Sequence, residues 1–166
     1  MKYKLKEKLL QTTIKHLQED VNSLELIALK EKSFATSNEM QQEGKYDTRK
    51  VEASYLAGAQ ARRVEELKAN LTIFEKFNCE DYSLKNDIGI GSLVKCKKEE
   101  LENGSSFYFF ISPGVGGQTI ELDNKTIQFI SKISPLGKAL LNSMVGESFE
   151  LKTPKIRTTY TIIGQV

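Results

Sequence analysis

The residues that could do chemistry are scattered along this 166-residue chain. The single histidine, His16, lies between Ile14 and Leu17 in a helical pattern, without the nucleophile and acid partners of a catalytic triad. Cys79 and Cys96 form no CxxC or Cys/His cluster, so we expect two reduced core thiols and not a disulfide or a metal site. These residues provide no self-contained active site.

The glycine-rich run from Ser112 to Gln118 resembles a phosphate-binding loop only superficially. It lacks the GxxxxGK[ST] pattern, and no helix follows it whose N-terminus could bind an anion. We therefore predict a turn or a flexible loop.

A polar stretch in the first half is a better candidate for a functional segment. Residues 37–54, SNEMQQEGKYDTRKVEAS, are dense in charge and include Gly44, which suits the end of a helix because glycine accepts a positive φ. A polar tip with nothing obvious to pack against suggests contact with another molecule. A solvated turn is the alternative.

Two apolar stripes flank this stretch and would position it. In both, apolar residues recur every three or four positions, which is typical of a coiled-coil seam. The stripes are Leu10, Ile14, Leu17, Val21, Leu24 and Ala28, then Ala57, Ala61, Val64, Leu67, Leu71, Phe74 and Phe77. Folding the chain back around Tyr46 and Asp47 brings the stripes into register. Residues 1–78 are thus predicted to form an antiparallel helical hairpin with its tip near 43–52, and a surface helix on a globular core is the alternative.

Small residues gather towards the turn: Ala28, Ala57, Gly58, Ala59 and Ala61. They would allow the helices to approach closely there, so we expect the hairpin to taper.

Beyond Cys79 the periodicity becomes that of short strands rich in β-branched and aromatic residues. The predicted strands lie in IGIGSLVKCKKEE, SSFYFFIS, TIELDN, KTIQFIS, SFELKT and TTYTIIGQV. One helix is predicted from Pro135 to Met144, with Ser134 as its N-cap and Gly146 after its end. The predicted class is α+β, with an antiparallel sheet and one helix over residues 79–166.

One segment of this second half resembles a known family. The run Ile130–Leu141, ISKISPLGKALL, with Thr153-Pro154 downstream, is similar to the C-terminal domain of the bacterial GreA and GreB transcript cleavage factors. An N-terminal hairpin of suitable length extends the resemblance to nearly the whole chain. It implies an FKBP-like β-rich domain that docks at the secondary channel of RNA polymerase, with the hairpin directed towards the active centre.

The resemblance also implies roles for particular residues. The polymerase-binding residues would be Ser134, Pro135, Leu136 and Lys138. Arg62 and Arg63 could lie near RNA or polymerase, and a solvated helix face is the alternative for them.

At the tip, the cleavage factors carry acidic residues that help to hold a second Mg²⁺ beside the aspartates of polymerase. This sequence departs from that pattern, because Lys45 and Thr48 occupy the two acidic positions when the glycines are aligned. Asp47, with Glu43 one helical turn away, could supply carboxylates, which suit Mg²⁺ as hard oxygen ligands. The factor would have no cofactor of its own and would share Mg²⁺ with polymerase. Both a cleavage-stimulating factor and a non-cleaving regulator stay open.

Two other functional classes are considered. A peptidyl-prolyl isomerase or chaperone could use the aromatic run 107–110, and a coiled-coil adaptor would be indifferent to changes at the tip. The net charge of +2 argues against a basic nucleic-acid-binding module. No apolar run approaches the roughly 20 residues of a membrane span. We expect a cytoplasmic monomer that binds RNA polymerase, meets nascent RNA only indirectly and does not bind membranes.

Overall fold

The computed structural model describes residues 2–35, 47–78, 87–99, 106–152 and 157–165. Two long helices come first, α1 (Lys2–Ala35) and α2 (Asp47–Lys76). Six strands and one short helix follow: β1 (Leu93–Lys98), β2 (Ser106–Ser112), β3 (Thr119–Leu122), β4 (Lys125–Ser131), α3 (Pro135–Leu140), β5 (Ser148–Lys152) and β6 (Arg157–Gln165). The predicted α+β class and all six predicted strands are confirmed. No helix in these ranges is long and apolar enough to cross a membrane.

By its internal contacts the chain divides into two units. One unit, here called the sheet unit, contains Met1–Thr13 and Lys76–Val166, and the other, the hairpin unit, contains Ile14–Glu75. The hairpin and the C-terminal domain were predicted to meet after residue 78, and that domain boundary stays a prediction.

The hairpin unit is held together by the predicted apolar seam. The seam residues Leu17, Val21, Val64, Leu71 and Phe74 are all buried. Across the seam, the Nζ atom of Lys68 lies 2.7 Å from a carboxylate oxygen of Glu25, which agrees with the predicted antiparallel fold-back around Tyr46 and Asp47. The hydrogen bond from Lys68 to Glu25 raises the pKa of the lysine above its ordinary value.

Towards the turn the two helices do not close on one another as expected. They leave a groove of about 780 Å³, and a Cβ atom built on Gly58 would meet nothing within 4 Å. The lining residues are Glu25, Ala28, Leu29, Lys32, Ala57, Ala61, Arg62, Val64, Glu65 and Glu66. The prediction of close approach was wrong because small side chains permit contact but bury too little apolar area to drive it.

The six strands form one sheet in the order β3-β4-β2-β1-β6-β5. Every neighbouring pair is antiparallel except β2 and β4, which run parallel, whereas the sequence predicted an antiparallel sheet throughout. The exception follows from the tight turn at Asp123 and Asn124, whose φ angles are 49° and 57°. The more apolar strand of this hairpin, β4, takes the inner position beside β2 and leaves β3 at the edge.

Apolar side chains are buried on both faces of the sheet. On the first face, α3 covers a cluster that includes Val94, Phe109 and Ile162. On the second face, the rings of Phe110 and Phe129 lie 5.0 Å apart between centroids, and both side chains are fully buried.

The two chain segments that adjoin the helical hairpin also pack within the sheet unit. The Nζ atom of Lys8, in the first turns of α1, lies 2.5 Å from the carboxylate of Asp123 in the β3–β4 turn. This hydrogen bond lowers the pKa of the Asp123 carboxyl. After α2, the ring of Phe77 lies so close to Gly91, where φ is +88°, that a Cβ atom would be 2.5 Å from the ring. A glycine is therefore required at position 91.

Candidate functional site

The corner where β4 leads into α3 is built by Ser134. Its Oγ atom accepts a hydrogen bond of 3.0 Å from the Gly137 backbone N–H and donates one of 2.8 Å to the Ser131 carbonyl. Pro135 follows as the first helical residue, where its fixed φ suits the helix and its missing N–H costs nothing. The predicted N-cap is confirmed, and the corner is locked by two side-chain hydrogen bonds.

Gly137 allows α3 to pack in direct contact with the end of β4. A Cβ atom at this position would lie 2.1 Å from the Ser131 carbonyl oxygen, so no larger residue fits without moving the backbone. The helix ends at Leu140 and not at Met144 as predicted, because Leu141 is extended, with ψ of 131°, and Asn142 then adopts a φ of 66°. Asparagine tolerates this left-handed conformation better than most residues, a signal that the sequence interpretation did not use.

The glycine-rich loop lies against the same strand end. The Gly117 N–H donates 2.8 Å to the Phe129 carbonyl, and the Phe129 N–H donates 2.9 Å to the Gln118 carbonyl. A Cβ atom at Gly116 would lie 2.3 Å from the Ser131 nitrogen. The glycines thus permit backbone contact with β4, and the loop is a packed turn.

The corner and the loop border a pocket of about 440 Å³. Its lining residues are Gly116, Gly117, Gln128, Phe129, Ile130, Ser131, Ser134, Pro135, Leu136, Leu151 and Lys152. Leu136 is half-buried against the core, while Pro135 and Lys138 are exposed. Ile133 is 73% exposed beside them. The corner therefore presents a compact apolar surface with a lysine next to it.

Of the four residues assigned to polymerase binding, the structure places Ser134, Pro135 and Leu136 on one pocket wall, and Lys138 outside the lining. Sequence reasoning missed Leu151 and Lys152. These residues belong to β5 and line the pocket although they are distant from the corner in the sequence. No local pattern could have placed them, because their position depends on the strand order.

The remaining candidates belong to the hairpin. Asp47 is the first residue of α2, and Glu43 lies outside the described residues. Arg62 and Arg63 are both exposed on α2, and Arg62 lines the hairpin groove together with Lys32 of α1. Within the described ranges, no group of three His, Cys, Asp or Glu side chains is placed to hold a metal ion.

The structure also describes His16 and Cys96, to which the sequence assigned no chemistry. His16 is exposed. Cys96 is a buried free thiol, and burial raises its pKa to about 12, which keeps it protonated and unreactive. Cys79 lies outside the described residues.

Comparison with known proteins decides the family. Residues 84–164, which include the whole β4–α3 corner, match the family model for the C-terminal domain of the transcription elongation factors GreA and GreB. This match assigns residues 84–164 to the GreA/GreB family. The chain as a whole is 25% identical to the transcription elongation factor GreA of Clostridium kluyveri, over 91% of its own length and 90% of that relative.

Two solved structures are also similar to this chain. The crystal structure of Gfh1 from Thermus aquaticus is 22% identical, with 98% of this chain and 94% of that chain covered and a TM-score of 0.38. A GreA/GreB elongation factor from Nitrosomonas europaea is 16% identical, with 60% of this chain and 77% of that chain covered and a TM-score of 0.37.

Replacing Ser134 by alanine tests the cap on which the Gre-family corner depends. We expect Ser134→Ala to lower the free energy of unfolding by about 1 kcal/mol, because the Gly137 N–H loses its acceptor. The measurement is equilibrium denaturation in urea. Ser143→Ala is the matched control, since among the described residues its hydroxyl bonds to the Ala139 carbonyl alone, and it should change stability by a few tenths of a kcal/mol at most. Equal effects of the two substitutions would contradict the assigned cap.

Proposed function

We propose that this chain is a Gre-type transcription elongation factor that binds bacterial RNA polymerase at its secondary channel and modulates elongation. The observation that carries the proposal is the family match over residues 84–164, which includes the β4–α3 corner with its apolar pocket. The similarity to GreA of Clostridium kluyveri over nearly the full chain supports the same function. The factor would act in the cytoplasm as a monomer and would meet nascent RNA through polymerase.

The β4–α3 corner is the proposed docking surface. Ile133 and Pro135 offer exposed apolar area, and Lys138 offers a cation that could pair with an acidic group of polymerase. The cap at Ser134 and the close contact at Gly137 fix this surface before any partner arrives. A preformed surface binds more tightly because little conformational entropy is lost on association.

The hairpin is the proposed probe of the channel. Helices of 34 and 30 residues are about 50 Å and 45 Å long at 1.5 Å per residue, which is long enough to carry a tip deep into a larger enzyme. At the tip, Asp47 and Glu43 would supply carboxylate oxygens to a Mg²⁺ ion shared with polymerase, in support of cleavage of backtracked RNA. The chain would have no such activity alone.

A non-cleaving factor that occupies the channel is the second candidate. It is favoured by the sequence of the tip, where Lys45 and Thr48 stand at the acidic positions of the family pattern and Arg49 and Lys50 add positive charge. These cations would weaken the attraction of the tip for Mg²⁺.

A peptidyl-prolyl isomerase is not favoured. Phe109 and Phe110 are buried on opposite faces of the sheet, and Phe107 packs against the core cluster. These three rings therefore cannot line one open pocket for a proline substrate.

Binding to polymerase can be tested with a charge placed on the docking surface. We expect Pro135→Glu to weaken binding to core polymerase at least about tenfold, because the new carboxylate would be desolvated against an apolar partner. Glutamate in the first turn of α3 also suits the helix dipole, so the fold should be retained. Thr119→Glu is the control, because it adds the same charge on the exposed side of β3. The measurement is surface-immobilised polymerase titrated with each variant, and identical affinities would refute the assigned surface.

Cleavage can be tested separately from binding. On stalled, backtracked complexes, we expect Asp47→Asn to slow RNA cleavage at least about tenfold with unchanged affinity for polymerase, because asparagine keeps a helix-starting side chain but loses the charge. Glu75→Gln, in the last turn of α2, should leave the cleavage rate unchanged. If the wild-type factor binds polymerase and the RNA stays intact, the tip does not support cleavage and the non-cleaving function is the correct one.

A further inference from the structure

Lysines gather around one tyrosine on the second face of the sheet. Lys95 of β1 pairs directly with Tyr108 of β2, and its Nζ atom lies 5.9 Å from the centre of the tyrosine ring. The Nζ atom of Lys125, from β4 on the other side of β2, lies 6.0 Å from the same ring. Lys97 is exposed two residues after Lys95, and so on the same face of the strand. Together with Lys8, these residues form what we call the Tyr108 patch.

The Tyr108 patch carries an excess of positive charge. Lys8 pairs with the Asp123 carboxylate, and Lys125 donates a hydrogen bond of 3.3 Å to the Asp123 carbonyl. Neither Lys95 nor Lys97 forms an ion pair with any residue in the described ranges. Among the ion pairs of the described residues, the Asp123 carboxylate is the one acid that pairs with any of these four lysines, although the chain as a whole is close to neutral.

We propose that the Tyr108 patch is a binding site for single-stranded nucleic acid, with phosphates between the lysine ammonium groups and a base against the tyrosine ring. Lysines that neutralise phosphates release condensed counterions, which supplies most of the affinity of such sites. An aromatic ring beside them offers a stacking surface that accepts any base. The site lies outside the β4–α3 corner and the hairpin tip, and it goes beyond the proposed function.

The tyrosine favours nucleic acid over an acidic peptide. An acidic peptide could satisfy the ammonium groups through its carboxylates, but aspartate and glutamate have no π-face to stack on the ring. The half-buried Tyr108 ring, held among the lysines, would add nothing to such a partner.

The test is fluorescence anisotropy of the full chain with a labelled 12-nucleotide oligouridylate, in the absence of polymerase and over a series of KCl concentrations. We expect Lys95→Gln/Lys125→Gln to weaken binding at least about tenfold and to reduce the magnitude of the salt slope by about 1.4, or 0.7 per lost phosphate contact. Lys30→Gln/Lys132→Gln removes the same charge from two exposed positions elsewhere, and it should change affinity by less than about twofold. Circular dichroism and Tm would verify that each variant is folded.

Two further arms separate the possible ligands. Tyr108→Leu should weaken binding of the oligouridylate at least about fivefold and leave binding of inorganic polyphosphate unchanged, because only the former has bases to stack. The matching oligothymidylate shows whether DNA is accepted as well as RNA. The proposal is overturned if the wild-type chain does not bind the oligonucleotide, if both double variants lose the same affinity, or if polyglutamate competes as well as RNA at equal charge. Because polymerase is absent, none of these results bears on the polymerase-binding function.

Discussion

The hairpin unit depends on one narrow apolar seam between two long helices. Helices as rich in polar residues as these would be only marginally stable in isolation, because helix formation without tertiary packing is barely favourable in water. Leu17 and Val21 on one side and Val64, Leu71 and Phe74 on the other supply that packing, each with roughly 1.5–3 kcal/mol from burial. The Lys68–Glu25 ion pair fixes the register but is exposed, so it adds little stability.

The buried apolar seam does not continue as far as the turn of the hairpin. The groove extends from Glu25 to Lys32 on α1 and from Ala57 to Glu66 on α2, and large apolar side chains on both helices are exposed. These exposed residues are Leu26, Leu29, Val51, Tyr55 and Leu56. Soluble proteins rarely leave this many large apolar side chains exposed on neighbouring elements unless the surface has a binding role.

The sequence motif by which the family is identified combines two kinds of residue. Ser134 and Gly137 build the corner, the first as a cap and the second as the only residue that fits beside Ser131. Pro135 and Lys138 are exposed and do little for the fold. Substitutions in the same short motif should therefore separate into those that alter stability and those that alter binding.

The hairpin seam and the six strands were predictable, because periodicities of about 3.5 and 2 are local properties of the sequence. The parallel pairing of β2 with β4 was not, since it depends on which strand of a hairpin takes the inner position. The early end of α3 depends on the backbone conformations of Leu141 and Asn142, and the groove depends on the separation of two helices. The position of Leu151 in the pocket lining could be predicted only with knowledge of the strand order. The roles of Asp47 and Glu43 stay predictions that come from the family resemblance.

The most direct test of the account is where the hairpin tip lies when polymerase is bound. A photoreactive benzophenone side chain placed at Thr48, and separately at Ile133, would be crosslinked to core polymerase and the linked peptides identified by mass spectrometry. The account predicts that the probe at Thr48 links to peptides next to the Mg²⁺-binding aspartates of polymerase, and that the probe at Ile133 links to a different, outer surface. Links from both probes to the same outer peptides would contradict it.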